Sequence, residues 1–181
     1  MGRPRAVLRY DMQYGQDRLT GFSDSDWAGC KRTARSTSGG ILMRGSHMIK
    51  SWSSTQESLT LSSGEAELVA AVKTCTELIG ITQLSKDWGK EVEGEVCVDS
   101  SAATGVAHRK GNGKLRHVRV GLLWIQAKVE DGEVDVKNIA GEQNPADLLT
   151  KNVDIAKVDK YMEIISGEFR GGRAEVSVEL K

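Results

Sequence analysis

Four acidic side chains stand out by position among the 25 aspartates and glutamates of the chain. Asp24 lies in the first apolar-polar run, where a charge is unexpected. Asp99 closes the apolar run Glu95 to Val98 and precedes a helix start. Glu67 falls in the first turns of a capped helix, and Asp147 in the first turn of a helix opened by Asn144-Pro145. Strand ends and helix starts gather on one edge of an open α/β sheet, the usual place for a site. Carboxylates gathered there suit a hard cation such as magnesium, which prefers oxygen ligands and keeps several waters. Helix N-termini also attract carboxylates electrostatically, which gives Glu67 and Asp147 a plain structural reason to be where they are. Two choices stay open on spacing alone. Asp24 and Asp26 are two apart, so a strand turns both to one side. Glu65 and Glu67 share a helix start, but Glu65 stands three residues after Ser62 and so completes a capping box.

The elements that must position these acids follow from patterning. Thr20 to Trp27 reads as a first strand running into a polar turn, and Cys30 to Ser38 is basic, hydroxyl-rich loop. Gly39 to Arg44 and His47 to Ser53 form two further strands, with Gly45-Ser46 as their hairpin turn. Leu68, Ala71, Val72, Cys75, Leu78 and Ile79 then recur at helical spacing, in a helix ending before Gly89. Glu95 to Asp99 is a strand, and Ser100 and Ser101 cap a helix through Ala107. His108 to Lys114 is a basic loop. His117 to Glu130 is a helix with Val120, Leu123, Trp124 and Ala127 on one face. Glu133 to Ile139 alternates strictly, as a strand does. Arg5 to Tyr10 reads as a helical remnant, Asp154 to Ile165 as an amphipathic helix, and Gly167 to Lys181 as a polar tail outside the core. Three strands before any helix, then alternation, imply a mixed sheet covered by helices.

Bulk properties narrow the class. A length of 181 residues suits one domain with a real core. No stretch approaches the roughly 18 apolar residues of a membrane helix, and the N-terminus lacks the apolar core of a secretory signal. Cys30, Cys75 and Cys97 form no C-x-x-C pair, so neither a zinc ribbon nor a redox motif is expected. An odd cysteine count points to free thiols and an intracellular, cytoplasmic setting. The formal net charge is zero; nucleic-acid binding then needs a local basic patch. Lys31, Arg32 and Arg35 form one candidate, and Arg109, Lys110, Lys114, Arg116 and Arg119 around His117 another.

Phe22 to Gly29, Arg35 to Gly39, Ser51 to Ser54, Leu61 to Glu67, Val98 to Ser100 and Ala146 to Lys151 resemble the ribonuclease H domain of copia-type retrotransposon Pol polyproteins. The blocks run in family order from about residue 20 to 151. The resemblance implies the ribonuclease H-like α/β fold, a five-stranded mixed sheet flanked by helices. It divides the chain into a remnant of the connection to reverse transcriptase (1–18), the ribonuclease H domain (19–151) and a C-terminal helix and tail (152–181). It chooses Asp24 over Asp26, and names Asp24, Glu67, Asp99 and Asp147 as catalytic acids and metal ligands. They would hold two magnesium ions, with manganese as a substitute: Asp24 bridging both, Glu67 and Asp99 on one, Asp147 on the other. The implied activity is hydrolysis of the RNA strand of RNA–DNA hybrids, leaving 5′-phosphate and 3′-hydroxyl ends. The implied partners are the hybrid and the upstream reverse transcriptase, with no membrane and no small-molecule cofactor, inside a virus-like particle. Ser25, Arg35, Ser100, Arg116, His117 and Asn144 are the expected substrate contacts, and Trp27, Trp52 and Trp124 are weighed for stacking against core packing. His117 falls in Arg-His-Val, where the family has a Lys-His-Ile-like motif. The loop Ala140 to Asn144 lacks the histidine that many ribonucleases H carry before the last acid. Gly64, Leu68 and Asn152 depart from the residues usual at their places. Two rival readings are a non-catalytic module of the same fold that binds nucleic acid or braces a reverse transcriptase, and another nuclease such as a transposase.

Overall fold

The computed structural model describes residues 5–111 and 123–172. Within them a five-stranded mixed sheet has the order β4-β3-β2-β5-β6. Its strands are β2 (Arg18–Asp26), β3 (Thr37–Arg44), β4 (His47–Thr55), β5 (Glu93–Val98) and β6 (Asp135–Asn138). β2, β3 and β4 pair antiparallel, whereas β5 runs parallel to β2 and β6 parallel to β5. The fold expected from the patterning is therefore the one observed. β2 is central, and its ladder with β5 ends at Ser23↔Val98. Asp24 and Asp99 follow that last pair on adjacent strands, so a charge inside the first strand is explained by its place just past the end of the β2–β5 ladder.

Two apolar layers clamp the sheet, and β3 serves both through its period-two alternation. Leu42 faces α1 (Ser63–Asp87) in a cluster with Leu68, Ala71, Cys75, Leu78, Val96, Val98 and Val136. Ile41 and Met43 face the other way, against Met162 and Ile165 at the end of α4 (Ile155–Ile164). Gly40 is small because Trp52 on β4 lies across it: a Cβ there would come within 2.1 Å of the indole.

Local capping places α1. The Ser62 hydroxyl accepts from the Glu65 amide at 3.2 Å. The Glu65 carboxylate reaches back to the Leu61 amide at 2.7 Å, one residue earlier than the reciprocal bond of a standard capping box. Glu65 is thus committed to the cap, as expected. The helix stops at Trp88, and Gly89 follows at φ +73. Ser100 caps the short helix α2 (Ser101–Ala107) by accepting from the Ala103 amide.

Three expectations need correction. Arg5–Leu8 is not a helical remnant but strand β1, paired antiparallel with β7 (Gly167–Arg170) from Arg5↔Arg170 to Leu8↔Gly167. Four residues cannot hold a helix in water, while a partner strand satisfies their backbone directly. By the same pairing, the start of the expected polar tail is a strand, half-buried at Gly167 and Glu168. In α3 (Trp124–Glu130) the fully buried residue is Ile125, whereas Ala127 is exposed. The predicted stretch from His117 to Val120 lies outside the described residues. No helix among the described residues is long and apolar enough to cross a membrane.

Candidate active site

Asp24, Glu67 and Asp99 each present a carboxylate oxygen within 4.8 Å of the others. Three separate elements bring them there: the end of β2, the second turn of α1 and the residue after β5. Asp24 is completely buried. Glu67 is held by the Ser25 amide, which donates to Oε1 at 3.3 Å. Its Oε2 is buried without a partner. An orphaned carboxylate oxygen beside two further carboxylates is costly in a neutral interior, and it is an available ligand for a hard cation. Asp26, by contrast, is turned toward the backbone at Gly29.

Asp147 joins the group through a lysine. It sits in the 3₁₀ helix Pro145–Leu149, capped by the Asn144 side chain. Lys151 Nζ lies 2.9 Å from Asp24 Oδ1 and 3.0 Å from Asp147 Oδ1. The Thr150 hydroxyl donates to Asp24 Oδ2, and the Tyr161 hydroxyl lies 3.3 Å from Asp147 Oδ2. Lys151, Thr150 and Tyr161 were not singled out from the sequence. The i,i+4 spacing of Asp147 and Lys151 was one available signal for the lysine, beside its place at the end of the block Ala146 to Lys151; the tyrosine arrives from a separate helix.

Packing Asp24, Glu67 and Asp99 together perturbs the ionisation of these three acids. Burial pushes Asp24 up to about 6, against the hydrogen bonds of Thr150 and Lys151. Burial, and then the charge of Asp24, pushes Glu67 up to about 8. Asp99 is also raised, first by burial. Burial works against the Lys151 ammonium, but its bonds to Asp24 and Asp147 outweigh that and hold its pKa up. These shifts have a consequence for stability. A carboxyl whose folded pKa is raised binds its proton more tightly in the native state, so metal-free stability falls as pH rises from the unfolded value through the folded one. For Glu67 that window runs from the ordinary glutamate value of 4.5 to about 8. The metal-free chain is expected to lose several degrees of Tm across it. Magnesium, which binds the ionised form, is expected to raise Tm more at pH 8 than at pH 5. Thermal melts with magnesium or chelator at both pH values check this; an equal magnesium response at the two would contradict it.

No protein-family model matches the chain. Among curated proteins it is 30% identical over 149 residues to the retrovirus-related Pol polyprotein from transposon TNT 1-94 of Nicotiana tabacum, covering 81% of this chain and 11% of that protein. It is 32% identical over 137 residues to the corresponding polyprotein from transposon RE1 of Arabidopsis thaliana, covering 74% of this chain and 9% of that protein. The chain thus spans about a tenth of the length of these relatives. The N-terminal RNase H domain of Rv2228c from Mycobacterium tuberculosis superposes with a TM-score of 0.56 at 13% identity, over 81% of this chain and 96% of that one. LC11-RNase H1, isolated from compost, does so with a TM-score of 0.59 at 18% identity, over 81% and 99%. The chain is a ribonuclease H-fold relative of transposon Pol polyproteins.

On this ribonuclease H fold the expected substrate contacts are treated unequally. Ser25 lies in β2 beside Glu67, and its hydroxyl is buried without a partner. Arg35 is exposed and lines an open groove of about 1090 Å³ together with Thr33, Ser38, Ser54 and Lys73. Ser38 is Ser25's partner across the β2–β3 ladder, so the groove begins next to the acids. Ser100 spends its hydroxyl as the α2 cap. Asn144 is completely buried, donating to the Ser23 carbonyl at 2.9 Å and accepting from the Ala146 amide at 3.3 Å. Its amide is consumed in holding the Asp147 turn to β2, so it braces the site instead of meeting a substrate. Arg116 and His117 lie outside the described residues. Trp27 is 49% exposed and anchored through its indole NH to the Thr60 carbonyl, while Trp52 and Trp124 are half-buried in the α1-side core.

Proposed function

We propose that the chain is an endonuclease that hydrolyses the RNA strand of RNA–DNA hybrids during retrotransposon reverse transcription. The observation that carries this is the convergence of Asp24, Glu67 and Asp99 within 4.8 Å, with Glu67 Oε2 buried and unpartnered. The donor set is all carboxylate, which fits magnesium, with manganese as a substitute, and not a soft metal. LC11-RNase H1 has been seen in complex with an RNA/DNA hybrid, with a TM-score of 0.52 to this chain at 18% identity. That supports the substrate class.

Asp24, Glu67 and Asp99 would hold one divalent ion, and Asp24 with Asp147 a second. Bound there, such ions supply Lewis-acid polarisation of the phosphate and activation of the attacking water. The chemistry is attack of water on phosphorus with cleavage of the P–O3′ bond. The departing O3′ takes a proton and becomes the 3′-hydroxyl, and the phosphate stays on the 5′ side of the next nucleotide. Asn144 and Ser62 fix the turn and the helix that carry Asp147 and Glu67. Lys151 keeps Asp24 and Asp147 from facing each other uncompensated. Arg35, Lys73 and the hydroxyls of the groove provide donors for a phosphate backbone. The setting proposed with it is the upstream reverse transcriptase of the same polyprotein as partner, in an intracellular virus-like particle.

The test is cleavage of labelled RNA–DNA hybrid, duplex DNA and duplex RNA by the purified chain, with magnesium or with chelator. Magnesium-dependent cutting of the RNA strand in the hybrid alone is expected. A folded chain that binds hybrid but never cuts it would instead support a non-catalytic bracing role.

A further inference from the structure

Tyr161 joins two parts of the site that the chain supplies separately. Its ring is completely buried, although α4 lies beyond the last of the four acids. Its hydroxyl is 3.0 Å from the Gly141 carbonyl and 3.3 Å from Asp147 Oδ2. Gly141 in turn lies against Asp99: a Cβ on it would come within 3.3 Å of Asp99 Oδ2. The other oxygen of Asp147 is taken by Lys151 at 3.0 Å. The Asp147 carboxylate is therefore held at both oxygens, by an ammonium on one side and a phenol on the other.

A phenylalanine ring would fill the same space. The hydroxyl carries a desolvation cost that packing alone does not require, and it is aimed at a carboxylate and at the loop beside a second carboxylate. It owns one proton and has two acceptors in reach. The hydroxyl keeps that proton and can donate it in a hydrogen bond to the Gly141 carbonyl or to Asp147 Oδ2, so that Asp147 Oδ2 would be free to face a cation while the phenol stays satisfied by Gly141. Partners of this kind behind a ligating carboxylate fix its orientation and tune its affinity.

We propose that Tyr161 is a positioning residue whose hydroxyl orients the Asp147 carboxylate and spaces it from the Gly141 loop, so that Asp147 is presented beside Asp24 to a divalent cation. This rests on the metal-binding reading of the four acids given above. It assigns to α4 a role in the site, not only in the core.

The experiment uses the full chain and four proteins: wild type, Tyr161→Phe, Asp147→Asn and the double variant. Manganese binding without substrate is followed by water proton relaxation, and hybrid cleavage is titrated with magnesium. Tyr161→Phe is expected to weaken manganese binding and raise the magnesium half-saturation by about tenfold. The KM for hybrid is expected to stay within about twofold, and circular dichroism to stay unchanged, because the ring remains. In the Asp147→Asn background the same change is expected to do nothing more, which shows action through that carboxylate. Unchanged manganese affinity with a lowered Tm would overturn the proposal and leave Tyr161 a packing residue. So would an equal loss in the Asp147→Asn background. A wild type that binds manganese and responds to Tyr161→Phe, yet cuts no hybrid, would overturn the proposed activity and uphold the role of Tyr161. A wild type that binds no manganese would overturn both.

Discussion

Asp24→Asn is expected to reduce hybrid cleavage by at least about a thousandfold, equivalent to about 4 kcal/mol of lost transition-state stabilisation, while leaving hybrid binding within about threefold. Asp24 is the residue on which the site converges: it belongs to the carboxylate group with Glu67 and Asp99, and it is tied to Asp147 through Lys151. The substitution removes the anionic ligand and keeps the shape. The asparagine oxygen can still accept from Lys151, and the groove that begins at Ser38 is untouched. The fold should not suffer. Burial already pushes Asp24 up to about 6, so its charged form is costly near neutral pH, and a neutral amide relieves that cost while Lys151 keeps Asp147. The expected signature is therefore a metal-free Tm within a few degrees of wild type, and loss of the stabilisation that magnesium gives the wild type. Asp26→Asn serves as the control, since Asp26 is turned to the Gly29 backbone, and it should retain most activity. Retention of more than a tenth of wild-type cleavage by Asp24→Asn, or an equal loss in Asp26→Asn, would remove Asp24 from the chemistry.

What the sequence revealed of this site, and what it hid, divides by the range of the interactions. Glu65 and Glu67 could be separated because a capping bond spans three residues, and the observed bond from the Leu61 amide confirms that Glu65 is engaged locally. Asp99 was legible because an apolar run stops beside a Ser100 cap, and both signals are neighbours in the chain. Asp24 and Asp26 were not separable by period two. Their difference comes from Thr150 and Lys151 on one side and the Gly29 turn on the other. Asn144 looked like a free amide near the site because its bond to the Ser23 carbonyl crosses from the last turn to the central strand. β1 was misread for the same reason: its partner starts at Gly167, at the far end of the chain. Ile125, and not Trp124 or Ala127, is the wholly buried residue of α3, since the helix face was set by where α3 lies against α1 and α2. Tyr161 gave no sign at all. An amphipathic pattern shows that α4 packs, but not that one of its side chains ends in a hydroxyl beside an acid.

Removing residues 152–181 is expected to unfold the chain, not merely to slow it. The blocks that point to a ribonuclease H domain end at Lys151, so a shorter protein ending there looks sufficient on sequence. The packing argues otherwise. Tyr161, Met162 and Ile165 are all buried, and Met162 and Ile165 cover Ile41 and Met43 on the face of β3 opposite α1. Burial of each such side chain contributes roughly 1.5–3 kcal/mol. Losing three, and exposing two more, removes roughly 8 kcal/mol or more, which matches the whole net stability of an ordinary domain. β1 would lose its partner strand as well, and Asp147 would lose the donor at Oδ2. A protein of residues 1–151 should therefore be insoluble, or show no cooperative melt and rapid proteolysis, with no magnesium-dependent cleavage. A protein of residues 1–172 keeps α4 and β7 and should melt cooperatively. A cooperative melt and hybrid cleavage by residues 1–151 would show that the β3 face tolerates solvent and that α4 is dispensable. The loss expected here is larger than that of Tyr161→Phe because it strips the wall that holds Asp147 in place, whereas the point variant removes one hydroxyl from an intact wall.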